Sequence, residues 1–271
     1  MPRKNQQTPP KRAAPVAGRP TTYRGLNDMA EWWTWSQEVE AQSFGTYRPF
    51  IKPGDLVFDI GANRGRKCWI FRQLGAKVVA VEPLLAFGGE FVPEFLWKHG
   101  KDPNVIAVPK AVTTEREVTI QINKFMPYVS SIDRAWMTES AHSPKFDEPY
   151  YAPQSLIARK VPGITLDGLV GIYGIPRFMK VDVEGAENSA LATLSTPVPA
   201  LNMEFHQDWI PTAAMEHLDA MGRYEWAYAL DNQSAFATPW MGREALLAHM
   251  KRHLTQSGMG SWGDVYGRLI D

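Results

Sequence analysis

Two acidic side chains flank a glycine turn in the first half of the chain. Asp59 belongs to the apolar segment Val57–Ile60, which runs directly into the turn Gly61–Gly65, and Glu82 ends the next apolar segment. Glycines let ligand atoms approach the backbone closely, and an acid at the end of a second strand can accept hydrogen bonds from a ribose diol. Carboxylates at this place would repel a phosphate, so the pattern favours a ligand that carries a positive charge.

A ligand with an ammonium or sulfonium at one end and a ribose at the other would satisfy both acids. S-adenosylmethionine has these groups and no phosphate, and it is therefore the predicted cofactor. NAD is an alternative, because Glu82 would suit its ribose equally well, although the turn lacks the third glycine of the dinucleotide fingerprint. In a third interpretation both acids are structural, with Asp59 capping a helix and Glu82 lying at the surface.

Charged side chains alternate along two later segments. Lys180, Asp182 and Glu184 are two residues apart, and so are Glu204 and His206. In strands, residues with this spacing share one face. Methyl transfer to a hydroxyl needs a base that removes the proton, and Asp182 is the first candidate for it, or else a holder of the cofactor's ammonium group. Glu184 and His206 are further catalytic candidates, and Lys180 and Glu204 are predicted to face the substrate.

The same residues also permit other interpretations. Carboxylates and a histidine are ligands for divalent cations; no residue is assigned to a metal here, but that alternative stays open. Glu184 could instead order the turn at Gly185 and cap the next helix, while Glu187 would complement the helix dipole. His206 could be a hydrogen-bonded histidine of the core.

Strand and helix patterns alternate along the chain, and these elements must position the polar groups. Strands are predicted in DLVFDIG, AKVVAVEP, NVIAVPKAV, EVTIQIN, RFMKVDVEG, ALNMEFH, WAYALD and WGDVYGRLI. Helices are predicted in RKCWIFRQLG, residues 87–98 with an interruption at Pro93, TLDGLVGIYG, AENSALATL, TAAMEHLDAMG and GREALLAHMKRHL. This alternation is typical of an α/β fold in which helices cover both faces of a mostly parallel sheet. The carboxyl ends of such strands share one rim, where ligands bind.

Composition and charge limit the class of protein. The chain has 271 residues, 44% of them hydrophobic, and a formal net charge of zero, as expected of a globular domain. Residues 1–20 hold five of the 29 basic side chains and no acid, which leaves 24 basic against 29 acidic side chains. A body of that sign disfavours general nucleic-acid binding. The single cysteine, Cys68, excludes an intrachain disulfide and agrees with a reducing, cytoplasmic location.

Three segments outside the alternating pattern complete the predicted organisation. Residues 1–22, rich in Pro, Gln, Arg and Lys, are predicted to be a disordered basic leader. Residues 23–271 would form a single domain that begins with a helical segment at residues 23–50. Residues 123–160 are longer than an ordinary connection and are predicted to form a lid or acceptor loop. No apolar run reaches the length of a membrane span, so no membrane partner is expected.

Six sequence blocks occur in a characteristic order: VFDIGANRG, VVAVEP, AVPKAV, SSID, TLDGLV and FMKVDVEGAENSAL. Together they resemble the FkbM family of class I S-adenosylmethionine-dependent methyltransferases, over residues 53–206. The resemblance implies a Rossmann-like fold with a seven-stranded, mostly parallel sheet whose last strand is antiparallel. It also implies O-methylation of a hydroxyl, often on a sugar or a secondary metabolite.

The resemblance further implies which residues hold the cofactor. Its amino acid end would be held by residues of the first strand and turn: Asp59, Gly61, Ala62, Asn63 and Gly65. Its ribose and adenine would contact residues that follow the next two strands: Glu82, Pro83, Lys110, Ala111 and Val112. Paired serines near the family's substrate site match Ser130 and Ser131.

The glycine turn departs from the family in two ways. Cys68 stands where the family usually has a small hydroxyl residue, and Arg64, Arg66 and Lys67 make the turn unusually basic. The three cations are predicted to be solvated on the first turn of the helix. Alternatively, they attract a phosphorylated or acidic substrate.

The predicted function is O-methylation, by S-adenosylmethionine, of a hydroxyl on a sugar, glycan or small metabolite. One alternative is a nucleic-acid ribose 2'-O-methyltransferase, which would make use of the basic leader but would need a second lysine at a strand end. The other is a non-catalytic protein that keeps the fold. The oligomeric state is not predicted.

Overall fold

The computed structural model describes residues 37, 40–124, 126–141, 156–206, 209–230, 233, 235–254 and 262–270. The predicted leader at residues 1–22 lies outside these ranges, as do most of the predicted N-terminal helical segment and residues 142–155 of the predicted loop. Within residues 40–50, the helical segment consists of a 3₁₀ turn at Ala41–Ser43 and the short helix α1 (Phe44–Tyr47).

Ten strands occur in the described residues, and seven of them form one sheet. They are β1 (Leu56–Ile60), β2 (Lys77–Val81), β3 (Val105–Val108), β4 (Ala111–Val112), β5 (Glu117–Asn123), β6 (Leu156–Ile164), β7 (Phe178–Val181), β8 (Ala200–His206), β9 (Tyr224–Leu230) and β10 (Trp262–Leu269). The large sheet has the order β3-β2-β1-β7-β8-β10-β9. Its strands pair in parallel except β10, which is antiparallel to both β8 and β9. The predicted seven-stranded sheet with an antiparallel last strand is confirmed.

Seven helices follow α1 in the described residues. They are α2 (Arg66–Gln73), α3 (Pro93–His99), α4 (Arg134–Ala141), α5 (Leu166–Tyr173), α6 (Glu187–Leu191), α7 (Thr212–Met221) and α8 (Arg243–Leu254). Local signals set several of their ends: the Thr165 hydroxyl accepts the Gly168 N–H at the start of α5, and Gly75, at φ +85°, stops α2. Of the helices so described, none combines the length and the apolar character needed to cross a bilayer.

The sheet is buried on both faces, which explains the continuous apolar character of its central strands. Val57 of β1 packs in one core cluster with residues of α1, α2 and α3, such as Phe71. Phe58 and Ile60 belong to the opposite cluster, with Leu166 of α5 and further residues of α6, α7 and α8. The two layers of helices hold the carboxyl ends of β1, β2 and β7 along one rim.

A second, three-stranded sheet differs from the sequence prediction. Its order is β4-β6-β5, and β6 pairs with β5 along seven residues in antiparallel register. The sequence predicts a loop as far as residue 160, whereas β6 begins at Leu156. The segment reads as a loop because Arg159, Lys160 and Pro162 interrupt its apolar pattern, and only pairing with β5 overrides that local signal.

Two further boundaries also differ from the sequence prediction. The single strand predicted in NVIAVPKAV is divided into β3 and β4 at Pro109 and Lys110, so Lys110 lies between the two sheets. The helix predicted at residues 87–98 is a 3₁₀ turn, Pro83–Phe87, followed by α3. Pro93 begins α3 rather than interrupting a longer helix, because the first helical position needs no N–H donor.

Strands β1 and β7 come so close at their carboxyl ends that only glycine fits after β1. Gly61 has φ +78°, and a Cβ placed on it would collide with the carbonyl oxygen of Asp182. The Asp182 N–H in turn donates to the Ile60 carbonyl at 3.0 Å. This backbone contact sets the distance between the glycine turn and the acids that follow β7.

Replacing Gly61 should therefore cost much more than the loss of glycine's backbone freedom. Gly61→Ala is expected to lower the free energy of unfolding by at least about 2 kcal/mol more than Gly54→Ala does. Gly54 is the matched control, because it has a similar φ of +89° but open space around its Cβ position, so only a strain of about 1–2 kcal/mol applies there. Urea denaturation of the two variants measures the difference, and equal losses would contradict the collision.

Candidate active site

A cleft of about 560 Å³, counting its open mouth, lies at the carboxyl ends of β1, β2 and β7. Seven of the predicted cofactor residues line it: Gly61, Asn63, Glu82, Pro83, Lys110, Ala111 and Val112. Four residues predicted for catalysis or substrate binding line the same cleft: Ser130, Ser131, Asp182 and Glu184. Residues separated by more than 100 positions in the sequence thus share one cavity, as the common rim of parallel strands predicts.

Glu82 is held at the cleft by two backbone donors. Its Oε2 accepts the Asn63 N–H at 2.8 Å and its Oε1 accepts the Leu84 N–H at 2.9 Å. The residue is only 5% exposed, so the alternative of a surface acid is wrong. Burial raises the pKa of Glu82 to about 7, although both backbone donors act in the opposite direction. Each carboxylate oxygen retains a lone pair that a hydroxyl of a ligand can use.

The glycine turn is tied to the cleft through Asn63. Asn63 has a positive φ of 52°, and its side-chain amide donates to the Tyr128 carbonyl at 3.0 Å. Ala62 donates its N–H to the Val81 carbonyl and is buried in the core rather than at the cleft wall. Gly65, at φ +80°, packs against the ring of His99, whose Cδ2 would lie 2.5 Å from an added Cβ. Ala62 and Gly65 therefore support the conformation of the turn and do not line the cleft.

Asp59 lies beneath the cleft and not on its wall. It is fully buried, its Oδ2 accepts the Cys68 thiol at 3.0 Å, and its Oδ1 has no hydrogen-bond partner. Burial raises the pKa of Asp59, and the charge of Lys180 partly opposes that rise. Cys68 therefore acts as a hydrogen-bond donor to this buried acid.

Lys180 and Asp182 form an ion pair at the end of β7. Lys180 Nζ lies 2.6 Å from Asp182 Oδ2, and the Lys180 side chain is 3% exposed against 30% for Asp182. Burial alone would lower the pKa of Lys180, but Asp182, Asp59 and Asp264 together raise it above its ordinary value. Burial would likewise raise the pKa of Asp182, and Lys180 instead holds it below its ordinary value. Both side chains of the pair are therefore charged.

Three further acids crowd the rim beside this pair. Burial raises the pKa of Glu184, and the charges of Glu204 and Asp182 raise it further. Burial also raises the pKa of Glu204, and that of Glu187 to about 7. Glu184 has a positive φ of 56° and lines the cleft. Glu187 begins α6, and its Oε1 accepts the Val183 N–H at 2.8 Å.

His206 and Glu204 lie side by side on β8, away from the cleft wall. His206 Nε2 is 3.3 Å from Glu204 Oε2, and the His206 side chain is 34% exposed. The alternative of a core histidine is therefore wrong. The ring of Trp136, on α4, lies 6.4 Å from that of His206. Trp136 also fills the space beside Gly185, so α4 packs against the turn that carries Glu184.

Residues 127–128 and 130–132, which belong to the predicted lid segment, line one side of the cleft. Gln121 of β5 and Ser131 exchange backbone hydrogen bonds at 2.8 and 3.2 Å, and the Ser130 hydroxyl donates to the Pro127 carbonyl at 2.6 Å. Apolar side chains missed by the sequence analysis also line the cavity, among them Leu84, Ile120 and Ile132. Ile120 could have been found, because alternation along EVTIQIN marks it as an inward residue.

The three cations of the glycine turn form ion pairs with buried carboxylates instead of being solvated. Arg64 Nε lies 3.0 Å from Glu94 Oε1. Arg66 and Lys67 both pair with Glu40, the latter at 2.6 Å. None of the three cations is among the residues that line the described cleft. The prediction that these three side chains are solvated is therefore wrong. Their ion pairs link α2 and the turn before it to the N-terminal segment and to α3.

Residues 59–224 match the model of the methyltransferase FkbM domain, which is more than half of the chain. The chain belongs to the FkbM methyltransferase family. This FkbM protein is an S-adenosylmethionine-dependent methyltransferase, and the predicted enzyme class and cofactor are confirmed. Among curated proteins, none matches its sequence significantly.

Solved structures similar to the FkbM protein share little sequence with it. A precorrin-6y C5,15-methyltransferase from Geobacter metallireducens GS-15 is 10% identical, with a TM-score of 0.41, and the match covers 89% of this chain and 88% of that one. An rRNA methylase from Streptococcus thermophilus is 12% identical, with a TM-score of 0.37 and coverages of 84% and 93%. The TYW2 protein of P. horikoshii, in complex with MeSAdo, is 11% identical, with a TM-score of 0.36 and coverages of 85% and 63%.

The ion pairs of Glu40 give the FkbM protein an acid-sensitive contact. Burial would raise the pKa of Glu40, but Lys67 and Arg66 hold it below its ordinary value. A carboxyl group whose pKa is lower in the folded than in the unfolded chain stabilises the fold at pH values above its pKa in the unfolded chain. This contribution is lost as the pH falls through the pKa of the folded chain. Glu40→Gln is expected to lower the free energy of unfolding at pH 7 by about 2–4 kcal/mol.

Chemical denaturation at pH 7 and at about pH 3 tests this expectation, and the loss should shrink at the lower pH. Glu117→Gln is the control, since its ion pair with Lys160 at 2.7 Å is exposed on both sides and exposed pairs contribute less than about 1 kcal/mol. A Glu40→Gln loss no larger than that of the control would contradict a structural role for the pair.

Proposed function

We propose that this protein transfers the methyl group of S-adenosylmethionine to a hydroxyl of a neutral sugar, glycan or small metabolite. The main support for the proposal is that an acid suited to bind a ribose and acids suited to catalysis line the same cleft. Glu82 lines it on one side, and Asp182 and Glu184 line it on the other. S-adenosylmethionine bound in this cleft would be held by residues on both of its sides.

The donor set of the cleft fits S-adenosylmethionine. Glu82 offers its remaining lone pairs to the ribose hydroxyls, and Asn63 and Gly61 line the wall beside it. Val112, Ile120 and other apolar side chains supply a surface for a purine ring. Asp182, kept ionised by Lys180, adds negative charge to the wall of the cleft, as a cofactor with a net positive charge requires. When bound, S-adenosylmethionine supplies a methyl group on a positively charged sulfur, and the acceptor oxygen takes this group as the carbon–sulfur bond breaks.

Glu184 is the proposed base for the acceptor proton. Its carboxylate is a stronger base than that of Asp182, because burial raises the pKa of Glu184 whereas Lys180 lowers the pKa of Asp182. The proton of the acceptor hydroxyl passes to Glu184 as the oxygen becomes the nucleophile. Lys180 does not line the cleft, so its predicted contact with the substrate is replaced by a contact with Asp182, whose carboxylate it holds in place. His206 and Glu204 lie beside each other on β8.

The charge of the rim supports a neutral acceptor. Asp182, Glu184, Glu187 and Glu204 stand beside one buried ammonium, that of Lys180. A nucleic acid would bring phosphates towards Asp182, which Lys180 keeps ionised, and repulsion from this carboxylate would oppose its binding. An alcohol of a sugar or small metabolite brings no charge. A cytoplasmic location, expected from the cysteine usage, is part of the proposal.

A labelling experiment tests the acceptor class. The full chain is incubated with methyl-labelled S-adenosylmethionine and separate pools of oligosaccharides, small hydroxylated metabolites, amines and RNA. Label is expected in the oligosaccharide pool or the metabolite pool, and Glu184→Gln should slow this transfer about a hundredfold while S-adenosylhomocysteine still binds within about threefold of wild type. Transfer confined to amines or RNA would overturn the proposal.

The ionisation of Glu82 should make cofactor binding pH-dependent. Its pKa of about 7 means that the carboxylate is mostly protonated at pH 6 and mostly ionised at pH 8, and ribose hydroxyls donate best to the ionised form. S-adenosylhomocysteine is therefore expected to bind about tenfold more weakly at pH 6 than at pH 8. Calorimetric titration at both pH values measures this ratio.

The variant Glu82→Gln isolates the contribution of this one group. It is expected to weaken binding at pH 8 by about tenfold to a hundredfold, since a charged acceptor of hydrogen bonds is lost, and to abolish the difference between pH 6 and pH 8. Glu90→Gln is the control, because Glu90 is an exposed residue and its change should leave the titration as in wild type. An unchanged pH dependence in Glu82→Gln would count against Glu82 as the ribose ligand.

A further inference from the structure

Three carboxylates from different elements converge at the rim. Asp182 follows β7, Glu187 begins α6 and Glu204 lies on β8, and one oxygen of each lies within 4.8 Å of the other two. Oxygen ligands on opposite sides of Mg²⁺ are about 4.2 Å apart, and those around Ca²⁺ up to about 5 Å. The three side chains are thus close enough to share one cation after side-chain adjustments of less than about 1 Å.

Glu187 gives a second and independent sign of a missing ligand. The residue is fully buried, and its Oε1 accepts the Val183 N–H at 2.8 Å. Its Oε2 is buried as well and has no hydrogen-bond partner. A buried carboxylate oxygen left unpaired is costly, and proteins normally satisfy such a group with a donor or an ion. Glu187 is thus a member of the carboxylate cluster that has one buried oxygen without a hydrogen-bond partner.

Among the described residues, few cations pair with this cluster. Lys180 is paired with Asp182 at 2.6 Å and offsets one negative charge. His206 contacts Glu204 at 3.3 Å and adds a charge only when it is protonated. Glu187 has no ion pair among the described residues, and Glu184 adds a fourth carboxyl group at the adjoining cleft wall. A divalent cation bound here would add positive charge to a group of acids that has few cationic partners among the described residues, and it would favour their ionised forms.

We propose that Asp182, Glu187 and Glu204 bind a divalent cation that prefers oxygen ligands, such as Mg²⁺ or Mn²⁺. Carboxylate oxygens are the ligands that such hard ions favour. Asp182 also lines the cofactor cleft, so the ion lies where an acceptor hydroxyl has to enter. A cation there orients the hydroxyl and lowers its pKa, which eases proton transfer to Glu184. This role rests on the proposed function, whereas binding of the ion does not.

Manganese binding to the full chain tests the site. Protein freed of metal by chelation is titrated with Mn²⁺, and free Mn²⁺ is measured by electron paramagnetic resonance. Wild type is expected to bind one Mn²⁺ per chain saturably, and Glu187→Gln should weaken this binding at least tenfold. Glutamine keeps an oxygen that can accept the Val183 N–H, so the variant preserves that local contact. Equal binding by wild type and Glu187→Gln, or no saturable binding, would overturn the proposal.

Two further variants separate this site from the cofactor cleft. Glu204→Gln should also weaken Mn²⁺ binding at least tenfold, and it serves if Glu187→Gln fails to fold, since the Glu204 side chain is 19% exposed. Glu82→Gln is the reciprocal control: it should bind Mn²⁺ as wild type does but lose affinity for S-adenosylhomocysteine. Wild type that binds S-adenosylhomocysteine but no Mn²⁺ overturns the cation site alone. Wild type that binds Mn²⁺ while no hydroxyl pool accepts label supports the site and removes the role proposed for it.

Discussion

The buried ammonium of Lys180 is the charge around which the active site is organised. It lies on the central strand β7, pairs with Asp182 at 2.6 Å, and interacts electrostatically with Asp59 on β1 and Asp264 on β10. A buried ion without partners would cost several kcal/mol. Lys180 therefore stabilises the ionised forms of these three acids, and the acids stabilise its buried ammonium. These attractions connect β1, β7 and β10 beneath the cleft.

The two halves of the cleft differ in the number of their acidic side chains and in the groups that contact them. On the side of β2, Glu82 is a single acid whose two oxygens are each held by a backbone N–H. On the side of β7 and β8, several acids lie close to Lys180. Burial, and after it the repulsion between these acids, raises the pKa values of Glu184 and Glu204. The first half is suited to recognising a diol, and the second to accepting a proton or holding a cation.

The cations of the glycine turn serve the scaffold that surrounds this site. Glu40 in the N-terminal segment holds Arg66 and Lys67, and Glu94 in α3 holds Arg64. Because these pairs involve buried carboxylates, they fix α2 and the turn before it more firmly than exposed pairs would. Asn63 then connects the same turn to Tyr128 across the cleft. The turn is thus held from the side of the core and from the side of the predicted lid.

Local sequence determined the elements and the rim of this protein. Apolar segments with acids at their ends predict the strands β1, β2 and β7, and the parallel order of such strands brings Asp59, Glu82 and Asp182 to one edge of the sheet. These features depend on residue type and spacing over a few positions, which are visible in one chain. The resemblance to the FkbM family extends the same local information to the cofactor.

Only the tertiary structure decided which charged groups meet. The local sequence pattern does not predict that Lys67 pairs with Glu40 or that β6 is a strand. It also does not predict that Glu187 lies close to Asp182 and Glu204. Glu187 looks like an ordinary acid in the first turn of a helix until packing buries it and leaves one oxygen without a partner. Burial and the distance between charges are properties of the folded chain, and they determine pKa and ligand binding.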